Sequence, residues 1–92
     1  MPYKLEITPS YTKKLLKFLK KHKDISSKYK KVILLLEADP YHPSLRLHKL
    51  SGKLEMLHSV SIDIQYRITI EFYIEEGKII PVNIGTHDSV YR

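Results

Sequence analysis

Hydrophobic and polar positions alternate near the start of the chain and then change to a helical spacing. Tyr3, Leu5 and Ile7 alternate with polar residues, which predicts a short, half-buried strand. Thr8 follows as the N-cap of a helix. Pro9 suits the first helical position, because an N–H there would have no partner within the helix. A helix is therefore predicted over residues 9–22.

Two helices with lysine-rich outer surfaces are predicted in this part of the chain. The apolar stripe of the first comprises Tyr11, Leu15, Phe18, Leu19 and His22, and its outer side carries Lys13, Lys14, Lys17, Lys20 and Lys21. The second is expected over about 26–38 and buries Tyr29, Val32, Ile33 and Leu36. It should end before Asp39 and Pro40, because a residue that precedes proline disfavours the helical conformation.

The rest of the chain predicts a loop and then strands. Residues 39–53 hold two prolines and a Ser-Gly pair, which indicates a long loop, anchored by Leu45, Leu47 and Leu50. Period-two patterns follow in three groups: Leu54, Met56, His58, Val60 and Ile62; Ile64, Tyr66, Ile68, Ile70 and Phe72; Ile80, Val82 and Ile84. Residues 75–78 form the predicted hairpin turn. Pro81 requires an exposed edge or a bulge, because it has no N–H to donate.

These elements predict one α+β domain over residues 1–92 with the order β-α-α-β-β-β. A helical hairpin should pack on one face of a mostly antiparallel, four-stranded sheet, and the other face, towards which Arg67 points, should be free. The predicted core consists of Leu5, Tyr11, Leu15, Phe18, Val32, Ile33, Leu36, Ile68, Ile70 and Val82.

Composition excludes several classes of protein. The 92 residues include no cysteine, so disulfides and thiolate chemistry are excluded. The longest apolar run, at 32–36, is far shorter than the ~20 residues that span a bilayer, and the lysine-rich start has no apolar signal core. A soluble, cytoplasmic protein without a membrane partner is expected.

Charge is distributed unevenly along the chain. Residues 1–53 carry 13 basic and four acidic side chains, whereas residues 54–92 carry three basic and six acidic ones. A clustered positive charge favours an anionic partner, either nucleic acid or an acidic protein. A solvated lysine surface that serves only solubility is the alternative.

Candidate chemistry lies among the histidines. Nucleotide-binding glycine loops, zinc-protease motifs and the serine-hydrolase motif are absent from the sequence. His48, His58 and His87 occur in the loop, sheet and tail, together with Asp63 and Arg67. RNA carries its own nucleophile, the 2′-OH, so a ribonuclease needs only a base, a cation and an acid. These residue types suffice without a metal.

Each of these residues also has a structural interpretation. His58 shares strand parity with apolar residues and fits a half-buried packing role. Arg67 fits a cross-strand ion pair with Glu71 or Glu55. Asp63 fits a turn between two strands. His22 and His42 fit packing and loop positions, respectively.

Four sequence segments carry a family resemblance when they are read together. They are Leu-His-Lys-Leu-Ser-Gly-Lys-Leu at 47–54, Ser-Val-Ser-Ile-Asp at 59–63, Tyr-Arg-Ile at 66–68 and Ile-Gly-Thr-His-Asp-Ser-Val-Tyr at 84–91. With the predicted element order, this pattern resembles the RelE/ParE superfamily of bacterial type II toxins, and most of all its YafQ-like branch. The resemblance implies a fold like that of small microbial ribonucleases.

The resemblance also assigns roles by position. It matches His48, Asp63, Arg67, His87 and Tyr91 to family residues of the active site. The branch has a histidine four residues before the aspartate, where this chain has Ser59, whereas His58 lies five before it. Either a β-bulge re-aims His58, or this chain lacks that histidine.

The function implied by the resemblance is the toxin of a toxin–antitoxin pair, a ribosome-dependent mRNA endonuclease that uses no metal or cofactor. His48 and His87 would be the acid and base, Arg67 a phosphate clamp, Asp63 an orienting or proton-accepting carboxylate, and Tyr91 a stacking group. RNA contacts would come from Arg46, Lys49 and Lys53. The expected partners are a cognate antitoxin, in a hetero-oligomer, and mRNA on the ribosome. A ParE-like gyrase poison and a non-catalytic binding module for nucleic acid or protein remain the alternatives.

Overall fold

The computed structural model describes residues 2–51 and 57–86. The strands are β1 (Lys4–Leu5), β2 (His48–Lys49), β3 (His58–Ser61), β4 (Tyr66–Tyr73) and β5 (Lys78–Thr86). The helices are α1 (Pro9–Lys21) and α2 (Ser26–Ala38), and two short 3₁₀ turns lie at Lys23–Ile25 and Pro43–Leu45. The α+β class, the helical hairpin and both helix ranges are as predicted, to within a residue or two.

The strands form one sheet in the order β1-β5-β4-β3-β2. Neighbouring strands are antiparallel except for β1, which pairs with β5 in parallel. The sheet has five strands rather than the four predicted, because His48 and Lys49 pair with Ser59 and His58. A two-residue strand has too little hydrophobic periodicity to be separated from a loop in the sequence.

The ends of the elements follow local chemistry. Thr8 caps α1, with its hydroxyl oxygen accepting from the N–H of Tyr11 at 3.1 Å, and Pro9 occupies the first turn. Helix α2 ends at Ala38, two residues before Pro40. Gly77 adopts a φ of 61° in the β4–β5 turn, a left-handed conformation that glycine adopts without steric cost.

The core lies between the helices and one face of the sheet, which we call the helix face. Both helices and the three central strands contribute to it: Tyr11, Phe18, Tyr29, Val32, Leu36, Val60, Ile68, Ile70, Ile79 and Ile84 are among its buried members. Leu5, Leu15 and Ile33 are half-buried and pack against them. Two buried hydroxyls, those of Tyr11 and Tyr29, are 2.9 Å apart and connect α1 to α2.

Strand β5 departs from the predicted alternation at Val82. Ile70 lies opposite Pro81 whereas Thr69 lies opposite Asn83, so Val82 is the extra residue of a β-bulge. The bulge reverses the parity of the strand: Ile79 and Pro81 are buried on one side of it and Ile84 on the other. The predictions that Val82 belongs to the core and that Ile80 faces inward are therefore wrong. The expectation of a bulge or an edge at Pro81 is confirmed.

The opposite sheet face, which we call the Arg67 face, is less open than predicted. Ser59 and Thr69 project to it from the centre of the sheet, and they are 0% and 1% exposed. The prediction of a free face is wrong at this centre.

Several predicted features lie outside the described residues. They are the first residues of the strand expected from Leu54, together with Lys53, His87 and Tyr91. Among residues 2–51 and 57–86, no helix is long and apolar enough to cross a membrane.

Candidate functional site

Strand register assigns the predicted site residues to different faces of the sheet. On β4, Arg67 lies between Ser61 of β3 and Gly85 of β5. Two residues further along β4, Thr69 lies opposite Ser59 of β3, which in turn lies opposite His48 of β2. Side chains directly opposite one another share a face. His48 and Arg67 therefore project from the Arg67 face. With strands about 4.8 Å apart and ~3.3 Å per residue along a strand, their Cα atoms are separated by roughly 12 Å.

His48 is exposed, and its ring is oriented by the backbone. Its Nδ1 atom lies 3.0 Å from the carbonyl oxygen of Arg46. Because a carbonyl only accepts, Nδ1 carries the proton, and in the neutral ring the lone pair is on Nε2. Arg46 provides this carbonyl from a left-handed conformation, φ 49°, which is rare for a residue other than glycine. The tautomer suits a general base that acts through Nε2.

Arg67 is half-buried between two residues that leave it room. Its neighbours on the two adjacent strands are Ser61, which has a small side chain, and Gly85, which has none. The Nε atom is buried without a hydrogen-bond partner, and the two ion pairs found in the described residues do not include Arg67. The carboxylate of Glu71 instead accepts from the Tyr73 hydroxyl at 2.6 Å. The ion pair with Glu71 is therefore not formed, and Glu55, the other predicted partner, lies outside the described residues. Among those described, the Nε donor of Arg67 is unused.

Two hydroxyls beside Arg67 also lack partners. The side-chain oxygens of Ser59 and Thr69 are buried and make no hydrogen bond to any residue that the structure describes. Buried polar atoms are normally satisfied, so such a cluster is unusual. Ser59 occupies the position at which the YafQ-like branch has a histidine, and its side chain is on the Arg67 face. Thr69 cannot be recognised from the sequence, because a threonine within a strand carries no functional signal.

His58 lies on the other face of the sheet. It is opposite Ile70 in the β3–β4 ladder and packs edge-on against Phe72, with ring centroids 5.5 Å apart. That ladder is regular, so no bulge re-aims the side chain. Burial, then the charge of Lys49 and the proximity of His48, hold the pKa of His58 below its ordinary value of 6.5. Its packing role is supported, and the lowered pKa favours the neutral ring.

Asp63 lies in the turn between β3 and β4. One oxygen accepts from the backbone N–H groups of Gln65 and Tyr66, each at 2.9 Å, and the other pairs with Lys28 of α2 at 3.3 Å. Burial raises the pKa of this carboxyl, but the two N–H groups and Lys28 outweigh it, and the net pKa is below 3.8. Such a carboxylate is a weak proton acceptor. Its contacts support the turn role that the sequence also allowed.

The remaining cationic candidates among the described residues are Arg46 and Lys49. Arg46 and Asp63 line one cleft of about 220 Å³, together with Ser44 and Ser61. Lys49 is exposed beside His48 but belongs to the register position opposite His58. Arg46 therefore lies next to the Arg67 face, whereas Lys49 is at the edge strand.

Two further histidines have the structural roles expected from the sequence. His22 ends α1, with its ring 4.6 Å from that of Phe18 and its Nδ1 3.2 Å from the Tyr66 hydroxyl. His42 accepts from the N–H of Ser44 at 3.2 Å and so caps a 3₁₀ turn. Within the described ranges, no three His, Asp or Glu side chains are grouped as metal ligands.

Comparison with solved structures identifies the fold. YafQ from E. coli superimposes with a TM-score of 0.79 at 16% identity, over 98% of this chain and 99% of YafQ. The toxin in the E. coli DinJ–YafQ toxin–antitoxin complex gives 0.78 at 18% identity over the whole of both chains. The chain has the fold of the RelE/ParE-type toxins.

A third similar structure is a copper-bound mutant toxin from Helicobacter pylori, with a TM-score of 0.73 at 24% identity over 98% of this chain and 99% of that toxin. The sequence matches no protein-family model and no curated protein. At the level of the fold, the RelE/ParE resemblance read from the sequence motifs is confirmed.

Proposed function

We propose that this chain is the toxin of a type II toxin–antitoxin pair and that it cleaves mRNA on the ribosome without a metal. The observation that carries the proposal is the common placement of His48 and Arg67 on the sheet face away from the helices. An exposed histidine with its lone pair on Nε2 and an arginine with unused donors provide a base and a phosphate clamp.

The proposed reaction is an attack of the ribose 2′-OH on the adjacent phosphorus. His48 removes the 2′-OH proton through Nε2, and Arg67 stabilises the negative charge that develops on the phosphate oxygens. The P–O bond to the 5′-oxygen breaks, and this oxygen takes a proton from an acid, for which His87 remains the prediction. Tyr91 is predicted to stack on a base, and Arg46 and Lys53 to bind neighbouring phosphates. Lys49 is left out of this set, because its register position opposite His58 puts it on the helix face.

Two further predicted roles change in this proposal. Asp63 acts as the residue that holds the β3–β4 turn in place rather than as a proton acceptor, because both of its oxygens are engaged. His58 is left out of the reaction, because it lies on the helix face.

The test is expression of the chain in bacteria without its antitoxin. We expect growth arrest and mRNA 5′ ends produced on ribosomes. In His48→Ala the rate of cleavage should fall by the 10²–10⁴-fold that acid–base catalysis typically contributes, and growth should resume. His42→Ala is the matched control, because it removes another exposed histidine, one to which the proposed reaction gives no role. Cleavage that persists undiminished in His48→Ala contradicts the assignment, and growth arrest without cleavage favours the gyrase-poison alternative.

The expected protein partner is a cognate antitoxin. The DinJ–YafQ structure is a complex of that kind, and the lysine-rich helices of this chain suit an acidic segment. Cytoplasmic location follows from the ribosomal target.

A further inference from the structure

Three buried polar atoms on the Arg67 face are left without a role by the proposed reaction. They are Oγ of Ser59, Oγ1 of Thr69 and Nε of Arg67, and none of them has a hydrogen-bond partner among the described residues. A further atom of this kind, Nδ1 of His58, lies on the helix face. Buried polar atoms are normally paired, because an unpaired one has lost its bonds to water without replacement. Three of them on one face therefore indicate a function.

Strand register places these three residues next to one another. Ser59 and Thr69 are directly opposite in the β3–β4 ladder, so their Cβ atoms are about 5 Å apart. Arg67 precedes Thr69 by two residues on β4, so it is about 6.6 Å away along the strand and on the same face. Cross-strand hydroxyl pairs commonly form hydrogen bonds, and an arginine side chain is long enough to reach either hydroxyl. The three polar atoms can therefore meet through side-chain rotation alone.

The same row of residues extends to the candidate base. His48 of β2 is opposite Ser59, so Ser59 and Thr69 lie between His48 and Arg67 across the sheet. Both hydroxyls are buried, so RNA at the surface does not contact them. They can influence the reaction only through the side chains beside them.

The Nε–H of Arg67 has few other acceptors. The Nε atom is buried, so a phosphate at the surface cannot reach it and an acceptor has to come from the protein. In the part of the chain that the structure describes, two neighbouring side chains are engaged with the backbone. The Ser61 hydroxyl donates to a carbonyl at 3.4 Å, and the Asn83 oxygen accepts from an N–H at 2.9 Å. The hydroxyls of Ser59 and Thr69 are the acceptors that are left.

We infer that Ser59 and Thr69 are positioning residues for Arg67: one hydroxyl accepts the Nε–H and donates to the other when the guanidinium engages a phosphate. The inference rests on the proposed function, in which Arg67 is the phosphate clamp. With Nε held by the sheet, the plane of the guanidinium is fixed, and its two outer amino groups present a fork to the phosphate oxygens. Without this contact the arginine keeps its charge but loses its direction.

Thermal unfolding distinguishes this role from a structural one. Buried hydroxyls without partners lower the stability of the free protein, whereas apolar groups of the same shape do not. Thr69→Val and Ser59→Ala should therefore unfold at the same temperature as the wild type or at a higher one. Hydroxyls that serve the fold would give the opposite result, a lower unfolding temperature in both variants.

Cleavage should respond differently from stability. A misdirected clamp slows the reaction, so Thr69→Val should lower the rate of cleavage on ribosomes about 10–100-fold at unchanged ribosome affinity. Thr69→Ser keeps the hydroxyl and should stay within about threefold of the wild type. The matched control is Thr12→Val on α1, where the hydroxyl donates to the backbone of Thr8 at 3.0 Å, and it should cleave like the wild type.

A double-mutant cycle separates the positioning of Arg67 from a general effect on the sheet. Lysine has no Nε–H, so in Arg67→Lys the hydroxyl pair has no guanidinium to hold. Arg67→Lys/Thr69→Val should therefore cleave within about twofold of Arg67→Lys. An effect of Thr69→Val that is equally large in both backgrounds would overturn the inference, as would a lowered unfolding temperature in both hydroxyl variants.

NMR detects the contact without relying on cleavage. The experiment follows the Nε–H signal of Arg67 in the ¹⁵N-labelled full chain, with single-stranded 2′-O-methyl RNA as an uncleavable probe. We expect RNA to move this signal downfield and to slow its exchange with water in the wild type and in Thr69→Ser, but not in Thr69→Val. A wild-type chain that gives this response without cleaving mRNA would retain the positioning role and remove the nuclease. Cleavage by a chain that lacks the response would retain the nuclease and remove the positioning role.

Discussion

Two histidines on adjacent strands of this molecule differ because of the sheet faces they occupy. His48 is exposed and held by a backbone carbonyl, whereas His58 packs against Phe72. His58 is a weaker base than an ordinary histidine because burial and the nearby Lys49 disfavour its charged form.

The first prediction follows from that pKa. Lys49→Ala removes one of the two neighbouring charges, so the pKa of His58 should rise towards 6.5 but stay below it, because burial remains the larger cause. An NMR titration of the imidazole Cε1–H signal measures it, with Lys30→Ala as the control at a remote surface site. A pKa of 6.5 or above in the wild-type chain would contradict the packing role.

The second prediction concerns Arg67. Arg67→Ala should reduce mRNA cleavage by roughly 10²–10³, the usual effect of removing a donor that stabilises developing charge. Arg67→Lys should restore only part of it, because lysine lacks the planar fork. Circular dichroism should show an unchanged fold, since the guanidinium makes no ion pair in the described residues. Full activity of Arg67→Ala would remove Arg67 from the site.

At the scale of single residues, the sequence predicts which face of a strand a side chain occupies better than it predicts the contacts of that side chain. Arg67 could be placed on the polar face because strand parity alone decides it. The left-handed backbone of Arg46, which directs its carbonyl to His48, could not be predicted, because nothing in the residue type favours it. Nor could the Lys28 partner of Asp63, which α2 brings from 35 residues away.

The helices are held to one another by a buried polar contact as well as by apolar packing. The Tyr11 and Tyr29 hydroxyls form a 2.9 Å hydrogen bond, and burial, with the neighbouring Tyr29, raises the pKa of Tyr11 above its ordinary value. Both phenols therefore remain neutral over the whole working pH range.

The third prediction tests this contact. Tyr11→Phe should lower the free energy of unfolding by about 1–3 kcal/mol, because it leaves the Tyr29 hydroxyl buried without its partner. The double variant Tyr11→Phe/Tyr29→Phe should cost less than the sum of the two single variants. Urea unfolding of the four proteins measures the coupling. Strict additivity would show that the hydroxyls do not interact.

The fourth prediction concerns the β3–β4 turn. Asp63 has its folded pKa depressed below 3.8, so its contribution to stability is complete above the unfolded value and is lost as pH falls through the folded pKa. Wild type should therefore lose stability below about pH 4 faster than Asp63→Asn, which cannot titrate. Thermal unfolding at pH 7 and pH 3 measures this. A difference between the two proteins that does not change with pH would contradict it.

Elements with strong periodicity are predicted well from the sequence, and short or irregular ones are not. Both helices follow from their apolar stripes and from Thr8, Pro9 and Pro40. The parity of β5 fails because a bulge depends on how the strand pairs with its neighbour, which only the assembled sheet determines. At the same bulge, the Val82 carbonyl accepts from the Lys14 ammonium of α1 at 3.2 Å.

At the scale of the whole molecule, charge and chemistry occupy opposite sides of the sheet. The nine lysines between residues 13 and 31 belong to the helical hairpin, whereas His48 and Arg67 are on the other face. The motifs of the sequence predict the RelE/ParE fold, because they record the order of elements. The hydrophobic periodicity predicts part of this separation, because it places the lysines outside the hairpin and Arg67 on the face away from it. It does not place His48, which the sequence assigns to a loop and the structure to β2.

This separation leads to the last prediction, which concerns the ribosome. If the lysines of the hairpin contact ribosomal RNA, binding releases counterions and must weaken as salt rises. Three phosphate contacts would lower affinity about tenfold or more between roughly 50 and 200 mM salt. Sedimentation with 70S ribosomes measures it for His48→Ala, which leaves the mRNA intact during the measurement.

Two triple variants of the lysines show which surface of the hairpin contacts the ribosome. Lys13→Glu/Lys20→Glu/Lys30→Glu removes charges from the outer helix surface and should lower both the ribosome affinity and its salt dependence. Lys14→Glu/Lys17→Glu/Lys21→Glu should lower them less, because these three lysines line the recess between α1 and β5 rather than the outer surface of the hairpin. Ribosome association that stays constant over this salt range would show that the positive charge of the hairpin does not serve RNA binding, and its purpose would then be the acidic partner alone.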